Sequence, residues 1–357
     1  MCSFKKLYHK IGYIKRCLQA RMMYINTCVN NQFLEPGFYY VITVSKRTFI
    51  VKSNSPKSYV DMIVGTDDYF FVKWPIHVIG KNAESTLSAQ IMMSTSDGDF
   101  RYFNYLENYT FKLFVDENIR LLFEKANHIF SMVFHTTIIT INEQYCIEKM
   151  ISSVSRRHWT VQNIRDHFTE VVMKYIDYIS ICNKNGHHQK DDRVYPIKNI
   201  ISSSEEFRSV YEHLFSYIGY IEDYDLYFCH SDLHFGNTLF SDKQWYLIDI
   251  ENARNEVFYY DFFNIIFVDF VDNKSSYLID SYINGAPWVI DLISCLFKAA
   301  GTIFRSDKRI RYLYLFLYYR LLFYVGRAYN DNCNQFVNLT TKYIKRTNLV
   351  LNYIESK

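Results

Sequence analysis

Apolar residues at positions 4, 7, 11, 14, 18, 22 and 25 recur every three or four residues, opposite Lys5, Lys6, Lys10, Lys15, Arg16 and Arg21. That spacing predicts an amphipathic basic helix near the start of the chain. From Gly37 the period shortens, and the β-rich runs 38–44 and 48–52 around Ser45, Lys46 and Arg47 predict a hairpin. Further strands are predicted over 70–79, 87–94 and 109–114, then a helix over 117–130, then strands over 136–141 and 145–150. After residue 151 the pattern turns helical over 161–180 and 204–221, gives a short β segment within 227–250, and is helical again from Asp261 onward. The expected organisation is an N-terminal extension over 1–70 (basic helix and hairpin), a small lobe of five strands and one helix over 71–151, and a mostly helical part over 152–357.

Composition narrows this picture. A chain of 357 residues is long enough for two or three lobes at roughly 100–200 residues each. With 49% hydrophobic residues, 22% charged and a net charge of +3, it reads as globular, and no strongly basic field announces nucleic acid. The 32 Tyr and 29 Phe make aromatic stripes commonplace along the chain, so a stripe alone identifies nothing. Eight cysteines lie scattered without a C-x-x-C pair, which suggests neither a zinc site nor a disulfide framework and makes a reducing cytoplasm the expected location. The most apolar run, 312–319, is closed by Arg311 and Arg320, far short of the ~20 residues that span a bilayer. It reads as a buried helix. The basic N-terminal helix has two readings, packing on its own protein or peripheral contact of residues 1–25 with the inner face of an anionic membrane.

The chemistry concentrates in 227–252. Residues 230–237 read His-Ser-Asp-Leu-His-Phe-Gly-Asn, which fits H-x-D-L-x-x-x-N through His230, Asp232, Leu233 and Asn237. Phosphoryl transfer needs a carboxylate beside the attacking hydroxyl and a metal ligand a few ångströms away, and an Asp and an Asn five residues apart on one tight loop supply both. A turn at 241–244 then leads to Leu-Ile-Asp-Ile-Glu at 247–251. Asp249 arrives there as a second carboxylate able to hold the ion that bridges nucleotide phosphates, with Glu251 beside it.

On these residues the chain resembles the aminoglycoside phosphotransferases and choline/ethanolamine kinases, small-molecule relatives of the protein kinases. Phe-Cys-His-Ser-Asp at 228–232 with Gly236 and Asn237 is similar to their catalytic loop, and Ile-Asp-Ile-Glu at 248–251 is similar to the I-D-x-E segment that stands where protein kinases have D-F-G. The resemblance covers about 35 residues. It implies an α+β, bilobal protein-kinase-like fold: a small five-stranded antiparallel lobe with one main helix and a larger mostly helical lobe carrying the loop at 228–252. It implies an ATP- and magnesium-dependent kinase in which Asp232 orients the hydroxyl and accepts its proton, Asn237, Asp249 and Glu251 hold metal, His230 orients the loop, and Asp261 buttresses it.

A fold of that kind also requires a lysine on the third strand of the small lobe and a glutamate on the next helix. Lys112 is favoured over Lys52 and Lys73 because only Lys112 is followed by a helix and then two strands; Glu124, mid-helix, is its expected partner ahead of Glu117. The segment after Gly80 stands at the place of the phosphate-covering loop. The end of the last strand stands at the hinge, with the carbonyl of Glu148 and the N–H of Met150 expected to pair with adenine.

The acceptor is less legible. Glu222, Asp223 and Asp225 together with Tyr259, Tyr260, Phe262 and Phe263 suit an amino alcohol or aminoglycoside held by cation–π contacts. The other acceptor reading is a sugar hydroxyl of a surface polysaccharide or its precursor. A non-catalytic binding module of the same fold is the alternative from another class. A protein kinase is disfavoured by the absence of D-F-G and A-P-E.

Overall fold

The computed structural model describes residues 33–44, 47–64, 70–78, 87–94, 100–114, 117–151, 159–191, 204–220, 224–330 and 336–357. The predicted N-terminal basic helix and the segment around Gly80 lie outside these residues. The chain divides into two compact units, residues 1–124 with 137–153, and residues 125–136 with 154–357.

The first unit is built on an eight-stranded sheet: β1 (Gly37–Val44), β2 (Arg47–Lys52), β3 (Phe70–Val78), β4 (Ile91–Ser94), β5 (Phe100–Asn104), β6 (Tyr109–Leu113), β8 (Ile138–Ile141) and β9 (Tyr145–Lys149). Its order is β3-β1-β2-β4-β5-β6-β9-β8, and every pairing is antiparallel. Five of these strands, β4, β5, β6, β9 and β8, carry the helix α2 (Glu117–Phe130) after their third member. The expected five-strand pattern is therefore present, but it starts at Ile91, because the strand expected over 87–94 opens it and the unforeseen β5 comes second.

The hairpin β1–β2 is not an appended element. Thr48 to Val51 pair with Ser94 to Ile91 and so continue the sheet, while an unforeseen helix, α1 (Lys57–Val64), follows it. Strict alternation explains why both faces are covered. Tyr39, Val41, Ile50, Met92, Tyr102 and Phe111 form one core with Leu34. Ile42, Phe49, Val51, Ile91 and Met93 form the other with Val60 and Val64 of α1.

The second unit carries the long helices α3 (Val161–Lys184), α4 (Glu205–Ile218), α5 (Tyr260–Val271), α6 (Tyr277–Ile283), α7 (Pro287–Ala299), α8 (Arg309–Asn330) and α9 (Phe336–Glu355). Thr160 starts α3 with a reciprocal cap to Asn163, and Ser204 caps α4 through the Phe207 N–H. Helix α5 is buried almost all round, Phe262, Phe263, Ile265, Ile266 and Phe267 together with the polar Asp261, Asn264 and Asp269, as a helix enclosed by other elements is. In α8 every residue from Tyr312 to Leu322 is buried, which is the enclosed helix its apolar pattern predicts. No helix among the described residues is long and apolar enough to cross a membrane.

The end of α2 belongs to this unit rather than to the sheet. Phe130 stacks with Phe228 at 6.0 Å and meets Tyr178 at 5.5 Å, and the following strand β7 (His135–Thr136) pairs in parallel with β13 (Gln244–Leu247).

Candidate active site

Strand β11 (Leu226–Cys229) is fully buried and lies between the short β10 (His188–Gln189) and β14 (Arg254–Val257), antiparallel to both. The chain then leaves the sheet for eight residues before β12 (Thr238–Ser241), which forms a hairpin with β13. Asp242 and Lys243 close that hairpin with φ of 52° and 61°, the left-handed pair that a two-residue turn between twisted strands needs.

The eight-residue loop is held by side chains from α5. Asp261, fully buried, accepts the His230 N–H on Oδ2 and the Ser231 N–H on Oδ1, both at 2.8 Å. Ser231 sits at φ 66°, a conformation that costs a non-glycine residue about 1 kcal/mol or more, and the two bonds to Asp261 hold it there. Burial pushes the Asp261 carboxyl up to about 6, against the opposing pull of His230 and the two N–H bonds. One turn further along α5, the Asn264 Nδ2 donates to the Leu233 carbonyl at 3.0 Å, and the buried Arg320 of α8 donates to the Asn264 Oδ1. Neither Asn264 nor Arg320 was singled out from the sequence. The available signals were the i, i+3 spacing from Asp261 and a lone cation closing an apolar run.

His230 uses both ring nitrogens. Its Nδ1 faces the Asp232 N–H at 3.3 Å and its Nε2 donates to the Ile248 carbonyl at 2.9 Å, so both sides of the ring are tied to the backbone. Ile248 in turn donates its own N–H to the Asn237 carbonyl at 3.0 Å. The residue before Asp249 is therefore clamped to the loop at both of its backbone polar groups. Asp249 follows in the left-handed region, φ 56° and ψ 47°, and opens a short 3-10 turn over Ile250–Asn252 that contains Glu251. Within the loop, the Asn237 Nδ2 donates to the Asp232 carbonyl at 2.9 Å, and the Asn237 N–H donates to the His234 carbonyl.

This arrangement brings Asp232, Asn237 and Asp249 onto one hydrogen-bonded framework. With its Nδ2 tied down, Asn237 presents Oδ1 as the side-chain donor atom. An amide oxygen and carboxylates form an all-oxygen set that suits a hard cation such as magnesium. Among the described residues no cluster of three or more His, Cys, Asp or Glu side chains is placed to hold a metal, so any ion here would depend on Asn237 Oδ1 beside Asp249 and Glu251 rather than on a carboxylate cage.

His234 faces Asp232, Nε2 to Oδ2 at 4.0 Å, and accepts the Gly236 N–H on Nδ1 at 2.9 Å. Burial holds its pKa below the usual histidine value, so at neutral pH the ring is uncharged. A Cβ on Gly236 would meet His234 Cε1 at 2.8 Å. Gly236→Ala is therefore expected to turn the ring away and break that bond, at about 1 kcal/mol. A melting curve together with the ring resonances of His234 checks this; an unmoved ring refutes the contact as the reason for glycine.

In the first unit, Lys112 lies on β6, nearly buried, opposite Arg101 of β5 and Cys146 of β9. Its rival Lys52 forms an ion pair with Glu35 at 2.5 Å, and Lys73 lies on the edge strand β3. Glu124 pairs with Arg120 on its own helix at 2.6 Å, and Glu117 reaches the same Arg120 at 3.2 Å. Glu148 is buried, accepting from the Thr137 hydroxyl at 2.9 Å and lying 3.8 Å from Arg101.

Three expectations change. Met150 is not free to donate to adenine, because its N–H donates to the Asn108 carbonyl at 3.1 Å. The segment at Gly80 does not join neighbouring strands, since β3 and β4 are separated by β1 and β2. In the five-strand pattern the segment that joins paired neighbours is instead 95–99, between β4 and β5, and it lies outside the described residues. The aromatic wall also dissolves: Tyr259, Tyr260, Phe262 and Phe263 are all 0% exposed and belong to the core. Asp225 is engaged by His188 and Lys190, each at 2.9 Å, and Glu222 and Asp223 lie outside the described residues.

No protein-family model matches the chain, and no curated protein matches its sequence. Among solved structures it is similar to a thermostable aminoglycoside phosphotransferase in ternary complex with ADP and hygromycin B, at 12% identity and a TM-score of 0.46 over 74% of this chain and 94% of that one. It is likewise similar to an aminoglycoside 2'-phosphotransferase in its GDP complex, at 12% identity and a TM-score of 0.45 over 70% and 88%. A choline/ethanolamine kinase family protein from Mesorhizobium loti is similar at 10% identity and a TM-score of 0.37 over 71% and 84%.

Proposed function

We infer that the chain is a kinase that moves the γ-phosphoryl group of ATP, with magnesium, onto a hydroxyl of a small molecule or sugar. The observation that carries this reading is the double clamp on Ile248, whose N–H bonds to the Asn237 carbonyl and whose carbonyl takes the His230 Nε2–H. It couples the turn bearing Asp249 to the loop bearing Asp232 and Asn237, which is the pairing of base and metal ligands that phosphoryl transfer requires.

In this reading the Asp232 carboxylate orients the acceptor hydroxyl and takes its proton as the new O–P bond forms and the bond to ADP breaks. Asn237 Oδ1 and the Asp249 carboxylate, with Glu251 nearby, would hold the magnesium ion, which offsets the charge on the phosphates. His230 and Asp261 keep the loop in register and touch no reacting atom. Lys112 is proposed as the phosphate-binding lysine of the first unit.

Two tests discriminate this enzyme from a binding module. Mg-ATP binding, measured by calorimetry, should weaken at least tenfold in Asp249→Asn and stay within about twofold in Asp232→Asn, since only Asp249 is a metal ligand. Lys112→Ala should raise KM for ATP and lower kcat, while Lys73→Ala leaves both near wild type. If the wild type binds no nucleotide with magnesium and hydrolyses none slowly, the kinase reading fails and a non-catalytic binding role replaces it.

A further inference from the structure

Asp261 holds the part of the loop that precedes Asp232, through the N–H groups of His230 and Ser231. The part that follows is held by Asn264, one turn further along α5, whose Nδ2 donates to the Leu233 carbonyl at 3.0 Å. Leu233 is buried and is the next residue after Asp232, so this bond fixes the peptide plane on which the chain leaves the proposed base.

The Asn264 amide works only one way round. A carbonyl oxygen can only accept and a guanidinium can only donate, and Arg320 Nη1 of α8 donates to the Asn264 Oδ1. The arginine therefore keeps Nδ2 turned toward the loop. A flipped amide would set oxygen against oxygen at Leu233 and N–H against N–H at Arg320.

Arg320 is a costly residue to keep there. It is 5% exposed, and a cation taken out of water is unfavourable unless its surroundings repay it. What surrounds the guanidinium is the Asn264 amide oxygen, the Tyr260 hydroxyl, and the rings of Phe267 and Tyr324 with centres at 4.4 and 4.8 Å. The carboxylate whose charge acts on it is Asp232, with which it lines a cavity of about 400 Å³ in the second unit. Its chain neighbours Tyr319 and Leu321 are buried without any such demand. An apolar side chain would fill the core at lower cost, so the cation is explained by what it does to Asn264.

We propose that Asn264 and Arg320 are positioning residues: Arg320 orients the Asn264 amide, and that amide sets the loop backbone at Leu233 so that Asp232 faces the acceptor hydroxyl. Neither touches a reacting atom. The effect on turnover rests on the kinase reading; the hold on the loop does not.

Asn264→Asp separates the two bonds, because a carboxylate still accepts from Arg320 but has no N–H for Leu233. Its melting temperature should change little. With the full chain, Mg-ATP, and water as the acceptor, slow hydrolysis should fall about tenfold or more in kcat while KM for ATP stays within about twofold. That split is what a displaced base produces and what damage to a nucleotide site does not. Arg320→Met should lower kcat to a similar degree, and Arg320→Lys, which can still donate to the Asn264 Oδ1, should recover most of it. In an Asn264→Leu background, Arg320→Met should cost no more than about a further twofold, because the arginine acts through the amide. Hydrogen exchange over 230–237, read by mass spectrometry, should quicken about fivefold or more in Asn264→Asp while α3 and α7 stay unchanged. An Asn264→Asp kcat within twofold of wild type, a raised KM for ATP without loss of kcat, or a full further loss from Arg320→Met in the Asn264→Leu background overturns the proposal. Asn264→Asp decides the matter even where Arg320→Met fails to fold. If the wild type neither binds nor hydrolyses Mg-ATP, the kinase reading alone fails, and the exchange rates still decide: unchanged rates in Asn264→Asp overturn the hold on the loop, and faster rates support it.

Discussion

Asp232→Asn is expected to lower phosphoryl transfer by about 10²–10⁴-fold, the usual worth of a positioned general base, while leaving the protein folded. The substitution is nearly isosteric, and the structure uses the backbone of Asp232 rather than its carboxylate to hold the loop: its N–H donates to His230 and its carbonyl accepts from Asn237. What the Asn cannot do is accept a proton from the attacking hydroxyl. The assay is transfer from labelled ATP, with slow hydrolysis as the fallback when no acceptor is supplied. A variant within threefold of wild type would remove Asp232 from the mechanism.

The second large effect belongs to Asp261. In Asp261→Ala the buried N–H groups of His230 and Ser231 lose their acceptor, a loss of about 1–3 kcal/mol each that removal of a buried charge partly offsets. A net loss on the order of 2 kcal/mol is expected, and Ser231 is released from its left-handed conformation. Activity of the folded protein should therefore fall as well, by at least tenfold in kcat. The pH dependence has a definite sign. Because the folded carboxyl is raised to about 6 from 3.8, the protonated form is favoured in the folded state, and that contribution is fully present below pH 3.8 and lost as pH rises through about 6. Relative to Asp261→Asn, which does not titrate, wild-type stability should decline between about pH 4 and pH 7. Denaturant titrations of the two proteins at pH 4.5 and 7.5 measure the difference, and parallel behaviour would mean that Asp261 is not ionising in that window.

The loop was legible in the sequence because its chemistry is local: His230, Asp232 and Asn237 span eight residues, and Asp249 is one hairpin away. Asp261 was reachable through the resemblance, since it follows that hairpin closely. What escaped is non-local. The hairpin β1–β2 reads as a separate element until its partner β4 is known, and β5 alternates Arg101 and Asn104 with aromatics too briefly to announce a strand. The donor role expected of Met150 depended on its N–H being free, which the strand ladder to Asn108 decides. The aromatic wall after the loop was a helix surface turned inward, a distinction that a chain with 61 Tyr and Phe side chains does not mark by composition. Arg320 lies 56 residues from Asn264, and only the packing of α8 brings the two side chains together.

The stretch 125–136 has a practical consequence for dissecting the chain. It is separated in sequence from the rest of its unit by 137–153, yet Phe130 packs on Tyr178 and Phe228, and Thr136 pairs with Leu247. A fragment beginning at residue 154 would carry the whole loop and all of α3 to α9 but would bare the aromatic surface behind β11 and leave an open edge on β13. Unpaired edges and exposed aromatic faces are what drive misassociation, so such a fragment should aggregate even though it contains every residue assigned to the loop. The continuous piece 125–357 keeps the end of α2 and β7 with their partners but strips β9 of its neighbour β6, so the whole chain is the unit in which to study the loop.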